Sequence, residues 1–330
     1  MSELENGGTM LLKAFGFRAD RGVNTSIADD FTVCGTWTVT DLEFFAYQVN
    51  GTTPTITGVY VRIWDKDPRT FGAVTVYPGG FGDPWSPNLI GGLPVFHSYR
   101  ALTSSILSAT REVQAIKVPV SITLAPATYW MEVQFSGDIS LSGPWIPPVT
   151  KLGCRKTGDA ILNSTSNVAG TWNLIDNSNT SDPAGIALPF RVYGVAVGGS
   201  TADASTYGVG KLGSNGVGAW DLGSPVHQPV LGSVFPMTLR NGIPGSVPVV
   251  LLSASACTFA IPCATLFVCP PFVQFTMPPF DSSNTSMGHI EIPHGTTYCG
   301  VTVYLQAFWA DSGASCNFGH SDGLKIRLGD

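Results

Sequence analysis

Charge is scarce in this sequence. Only 12% of its 330 residues are Asp, Glu, Lys or Arg, about half the usual share of a soluble domain. The 17 Lys and Arg stand against 23 Asp and Glu, for a net charge of −6, and they form no basic stripe. That excludes nucleic acid as a partner, since nothing is arranged to neutralise phosphates. No basic amphipathic segment points to a membrane surface. Helical periodicity is missing as well: apolar residues do not recur at i, i+3, i+4 and i+7 over any long window free of Gly or Pro. The longest uncharged run, Asn241 to Phe280, is interrupted by prolines at 244, 248, 262, 270, 271, 278 and 279. No piece of it approaches the ~20 residues of a spanning helix, so no transmembrane segment is expected. MSELENGGTM has neither a basic start nor an apolar core, so it does not read as a signal peptide.

Several catalytic and metal signatures are absent too. There is no GxSxG elbow and no CxxC. Gly208, Gly210 and Gly213 match GxGxxG, but the following SNGVGAW cannot open a helix, and the position ~20 residues on, within HQPVLG, supplies no acid for a ribose. The match reads as a turn-rich stretch. No catalytic residue is nominated. The seven cysteines, Cys34, Cys154, Cys257, Cys263, Cys269, Cys299 and Cys316, lack the spacing of a zinc ribbon or finger. Disulfides are the expected use, which implies an oxidising compartment; the pairing is left open.

What the chain does have is turn residues, 38 Gly and 24 Pro, set between short runs of alternating character. In GVYVRIW, Val59, Val61 and Ile63 share one face, and Tyr60, Arg62 and Trp64 share the other. In ATYWMEVQF, Tyr129, Met131, Val133 and Phe135 alternate with Trp130, Glu132 and Gln134. Period 2 marks strands with one buried face. FTVCGTWTV, LEFFAYQVN, LPFRVYGVAV, SVPVVLLS, GHIEIP, CGVTVYLQAFWA and LKIRLG continue the pattern. Many short strands between turns predict an all-β fold of the sandwich or jelly-roll kind. Length favours two consecutive domains, placed at 1–197 and 219–330, with residues 198–218 as a Gly/Ser-rich connector.

The first half, with ADDF, FFAYQ, VRIWD, PATYWMEV, SGPWIPPV and LPFRVYG, resembles an uncharacterised module of secreted bacterial proteins. The second half, with YGVGKLGSNG, PVLGSVFPMTL, GIPGSVPVVLLS, IEIP, GVTVYLQAFWAD and SDGLKIRLG, is similar to a β-domain of secreted proteins in planctomycete-like bacteria. The resemblance implies export. The expected location is therefore extracellular or at the cell surface, with the signal peptide already removed.

Three constellations carry candidate chemistry. Tyr60, Arg62 and Trp64, with Trp130, Glu132 and Gln134, place aromatic faces beside amide, carboxylate and guanidinium groups. That combination suits sugar rings, which present apolar C–H patches and a rim of hydroxyls; the alternative is that the other sheet or the long loops, Trp85 and Trp145 included, cover this face, since large aromatics are mostly buried. His289-x-Glu291-x-x-His294 offers three ligands for zinc or copper. Asp65 and Asp67, and Asp29-Asp30 with Asp41 and Glu43, offer oxygens for a structural calcium, although an Asp-Pro turn is equally served by such residues. The leading expectation is a non-catalytic binding protein for polysaccharide or another surface polymer. The alternatives are a structural subunit that assembles with copies of itself and a polymer-acting hydrolase or metal-dependent oxidase, the last resting on His289, Glu291 and His294 alone.

Overall fold

The structure, a computed structural model, describes residues 16–78, 85–99, 109–147, 159–164, 172–175, 187–224 and 226–330. Cys154 lies outside the described residues. Within them the fold is all β, built from antiparallel strands and short 3-10 turns without an α-helix. Accordingly, no helix among the described residues is long and apolar enough to cross a membrane. Packing divides the chain into two compact units, Met1–Gly199 with His294–Thr296, and Ser200–Pro293 with Thr297–Asp330.

Unit 1 has two sheets. The first is ordered β1 (Phe17–Arg18), β9 (Ser142–Ile146), β3 (Thr36–Val49), β7 (Glu112–Leu124) and β6 (Val95–Tyr99), with β12 (Phe190–Val197) also on β3. The second runs β11 (Trp172–Leu174), β10 (Ile161–Asn163), β2 (Ser26–Val33), β8 (Ala127–Gly137), β4 (Ile56–Trp64) and β5 (Thr75–Tyr77). Their inner faces share one core. Val59, Val61 and Ile63 of β4, and Met131, Val133 and Phe135 of β8, meet Leu42, Phe44 and Ala46 of β3 and Ile116 and Val118 of β7. Phe44 and Phe135 pack edge to face at 6.1 Å. Each such buried side chain contributes roughly 1.5–3 kcal/mol, so the period-2 pattern fixes which face turns inward.

β3 changes phase part-way along. Trp37 and Val39 face the core, and so do Leu42, Phe44 and Ala46. The switch from odd to even positions is made at Thr40, which is skipped in the registers of β3 with both β7 and β12. This double bulge turns both Thr40 and Asp41 outward. Gly194 of β12 lies against it, where a Cβ would come within 2.1 Å of the Thr38 carbonyl oxygen.

The outer edge of β4 is closed by the segment after Trp85. Ser86 and Leu89 donate their N–H groups to the Val61 and Val59 carbonyls at 3.1 and 2.9 Å. Val61 and Val59 in turn donate to Ser86 Oγ and Asn88 Oδ1. A Pro87-containing loop thus shields an edge that would otherwise invite pairing.

Unit 2 has a sheet ordered β13 (Asp203–Tyr207), β25 (Gly323–Arg327), β23 (Thr302–Ala310), β18 (Val249–Ser253) and β21 (Val273–Thr276), with β24 (Phe318–His320) on β23. A second sheet joins β16 (Ala219–Asp221), β17 (Val234–Arg240) and β22 (Thr285–Glu291). Two hairpins complete it, β14 (Leu212–Gly213) with β15 (Gly216–Val217), and β19 (Ala256–Ile261) with β20 (Ala264–Val268). The Gly/Ser-rich stretch 198–218, expected as a connector, carries β13, β14 and β15 and from Ser200 belongs to unit 2. Its glycines allow close packing: a Cβ on Gly218 would sit 2.3 Å from the Trp309 ring. Unit 2 also closes on itself, since Asp330 donates its N–H to Ser200 and accepts from Ala202 N–H.

Cys263 and Cys316 form a disulfide, and Cys34 and Cys299 are each disulfide-bonded. Cys257 and Cys269 are free thiols.

Candidate functional site

The outer face of the β2–β8–β4 sheet, which carries the aromatic binding candidates, is covered. Trp130 is buried against Ala28 and Ile161, with Trp64 and Trp172 packed on them. Glu132 is fully buried and accepts hydrogen bonds from Ser26 Oγ at 2.6 Å and Trp64 Nε1 at 2.8 Å. Arg62 Nε pairs with it at 3.2 Å. Burial pushes the Glu132 carboxyl above its ordinary range, and Arg62, Ser26 and Trp64 pull it back. The Arg62 guanidinium lies 3.7 Å from the Trp85 ring centroid and 5.6 Å from that of Trp64. Arg21 lies 4.7 Å from the Tyr60 ring centroid and bonds to the buried Gln134. The six residues are brought together, as their spacing predicts, but their polar atoms and ring faces are engaged with one another and with the cover. The reason is Trp85 and Arg21, which come from segments with no strand pattern.

The opposite outer face, on β7, β3 and β12, is open. The bulge at Thr40 places Asp41 and Glu43 there. Arg191 Nη1 and Tyr193 OH both reach Glu43 Oε2 at 2.8 Å. Lys117 Nζ is 3.7 Å from Asp41 Oδ2 and 4.6 Å from the Tyr193 ring centroid. Phe45 lies beneath Arg191 at 5.2 Å and meets the His97 ring in a tilted contact at 4.8 Å. The Arg191 and Lys117 side chains are about half exposed, and Tyr193 is 36% exposed. The face combines an accessible ring with a rim of both charges. LPFRVYG and LEFFAYQ contain these residues, but the sequence shows neither that their strands pair nor that the bulge re-aims Asp41.

The metal candidates are separated. His289 and Glu291 are exposed on β22, opposite Pro236 and Val234. His294 instead packs with unit 1, where its Nδ1 is 2.9 Å from Asp30 Oδ2. Among the described residues, the one group of metal-ligating side chains is Asp30, Asp159 and His294, whose ligand atoms lie within 4.8 Å of one another. Asp65 accepts from Val74 N–H, and Asp67 is held by Arg69, so both act in the turn after β4. Asp159 had no signal in the sequence, because it precedes a strand of three residues.

Fold and site together define an all-β, sandwich-like protein with disulfides. Comparison with known proteins finds no matching family model and no matching curated relative.

Proposed function

We propose that the protein is an extracellular, non-catalytic binding protein for carbohydrate or another surface polymer, and that it holds its ligand on the open face of β7, β3 and β12. The observation that supports this is the convergence of Tyr193 and Arg191 on Glu43 on an accessible sheet face. Fixed by that bond, the Tyr193 ring is pre-oriented, so little side-chain entropy is lost when a sugar ring stacks on it. Asp41, Lys117 and Arg191 then offer hydroxyl groups both acceptors and donors.

Isothermal titration against a glycan panel tests the reading. Tyr193→Ala should weaken binding by about 3- to 10-fold, the worth of one aromatic contact, and Glu43→Gln should weaken it less. No binding across the panel, or unchanged binding in Tyr193→Ala, would defeat it. A second reading, a self-assembling structural subunit, draws on the sheet edge β21, where Val273 is 67% exposed beside Phe272 at 40%. Concentration-dependent light scattering without glycan binding would favour that reading.

A further inference from the structure

The Asp30 and Asp159 carboxylates lie close together, Asp30 on β2 and Asp159 just before β10. Ile161 pairs with Ala28 in the β10–β2 ladder, and Asp159, two residues before β10, lies close to Asp30 of β2. Two carboxylates held this close disfavour each other's charge. Burial adds to the difficulty: the Asp30 side chain is only 8% exposed, and the Asp159 carboxyl is held above its ordinary value by burial and by Asp30. Asp159 Oδ1 is shut off from solvent and has no hydrogen-bond partner. A buried acceptor left in that condition carries a desolvation penalty that nothing offsets. On the open side stands His294, bonded to Asp30 and itself 42% exposed, so the group has one wall accessible from solution.

We propose that Asp30, Asp159 and His294 form a binding site for a divalent transition-metal ion of the zinc type. The vacant lone pairs of Asp159 Oδ1 supply the ligand atom that the protein leaves unused. A cation between the two carboxylates removes their repulsion, and His294 Nδ1 exchanges its bond to Asp30 for the metal. The donor set selects the ion. An imidazole nitrogen with two carboxylate oxygens suits zinc and its neighbours, whereas calcium takes oxygens alone. Three side-chain donors leave a fourth position for water or for a ligand group. The ligand atoms, within 4.8 Å of one another, need to draw in only slightly to share an ion at ~2.1 Å. Asp29, behind Asp30, has its carboxylate occupied by the Leu188 and Asp30 N–H groups and stays outside the set. Arg69, which acts electrostatically on Asp159, is tied to Asp67.

The test uses the full chain stripped with a chelator and titrated calorimetrically with zinc and, separately, with calcium. The wild type should bind one zinc with a rise in melting temperature. Asp159→Asn and His294→Ala should lose more than about tenfold in affinity, while His289→Ala, altered on an exposed face elsewhere, should match the wild type. Because a variant at Asp159 can misfold, cobalt substitution of the wild type provides a second reading, with visible bands of nitrogen and oxygen ligation expected. A thiolate-to-cobalt charge-transfer band would assign the metal to cysteine ligands and overturn the proposal. So would unchanged zinc binding in both ligand variants, binding of calcium in preference to zinc, or absence of saturable zinc binding.

Discussion

Buried amides in this molecule do the work of backbone. Gln114 accepts from the N–H groups of Thr55 and Ile56 and donates to Thr55 Oγ1. Gln48 bonds both the N–H and the carbonyl of Asp138. Gln306 does the same for the β20 hairpin, accepting from Phe267 N–H and donating to the Thr265 carbonyl. Each replaces a missing strand partner where the ladder runs out, which keeps buried peptide groups paired. Asp322 has a related task, accepting from Trp220 N–H at 2.8 Å, but as an acid it carries a pH-dependent cost. Burial raises it to about 6. The folded state therefore favours the protonated acid, so stability is fully present below the ordinary carboxylate value near 4 and is lost as pH rises through about 6. Asp322→Asn keeps the acceptor without the charge. Urea unfolding of both proteins from pH 4 to 8 should show the variant gaining on the wild type with rising pH, by an amount that solvent screening of this partly exposed acid reduces. Parallel curves would refute it.

At the scale of elements, the double bulge at Thr40 decides which side chains of β3 meet solvent. Gly194 is its counterpart on β12, and a methyl group there has to push against the Thr38 carbonyl, a backbone atom that cannot rotate away. Gly194→Ala should cost about 1–3 kcal/mol, read as a lower urea midpoint with an unchanged slope. If the open face binds ligand, the same change should weaken binding by moving Tyr193. The strands themselves were legible in the sequence because β4 and β8 alternate apolar residues with polar or aromatic ones, although in β8 both faces are buried from Tyr129 to Phe135. The bulge was not, since a single extra residue leaves the composition of LEFFAYQ untouched. The cover over Trp130 and Glu132 was legible in part: Trp85 is a large aromatic of the kind that is mostly buried, but it comes from a loop, where no periodicity announces what it packs against. His294 was singled out for its nearness in sequence to His289 and Glu291, yet Pro293 ends the strand and carries it to Asp30 and Asp159, partners set by tertiary packing alone.

At the scale of the molecule, the turn-rich composition announces the all-β class, while the Gly/Ser content of 198–218 misleads about its role. Those glycines serve close approach, as Gly218 does at Trp309, rather than flexibility. The disulfide Cys263–Cys316 bridges a sequence separation of 53 residues, for which chain-entropy reasoning gives about 4 kcal/mol of stabilisation. The double variant Cys263→Ala with Cys316→Ala should lower the unfolding midpoint of unit 2 accordingly, seen as an earlier transition in urea followed by Trp fluorescence. A loss below about 1 kcal/mol would show that the reduced, unfolded chain is already constrained near this loop. The clasp between Ser200 and Asp330 has a different import. Unit 2 enters and leaves its sheet at one point, so its sequence is topologically close to a ring. A short glycine bridge from residue 330 to residue 200, with new ends opened at the exposed Ser282–Ser283 turn, would rearrange the order of its strands in sequence while leaving every pairing between them in place.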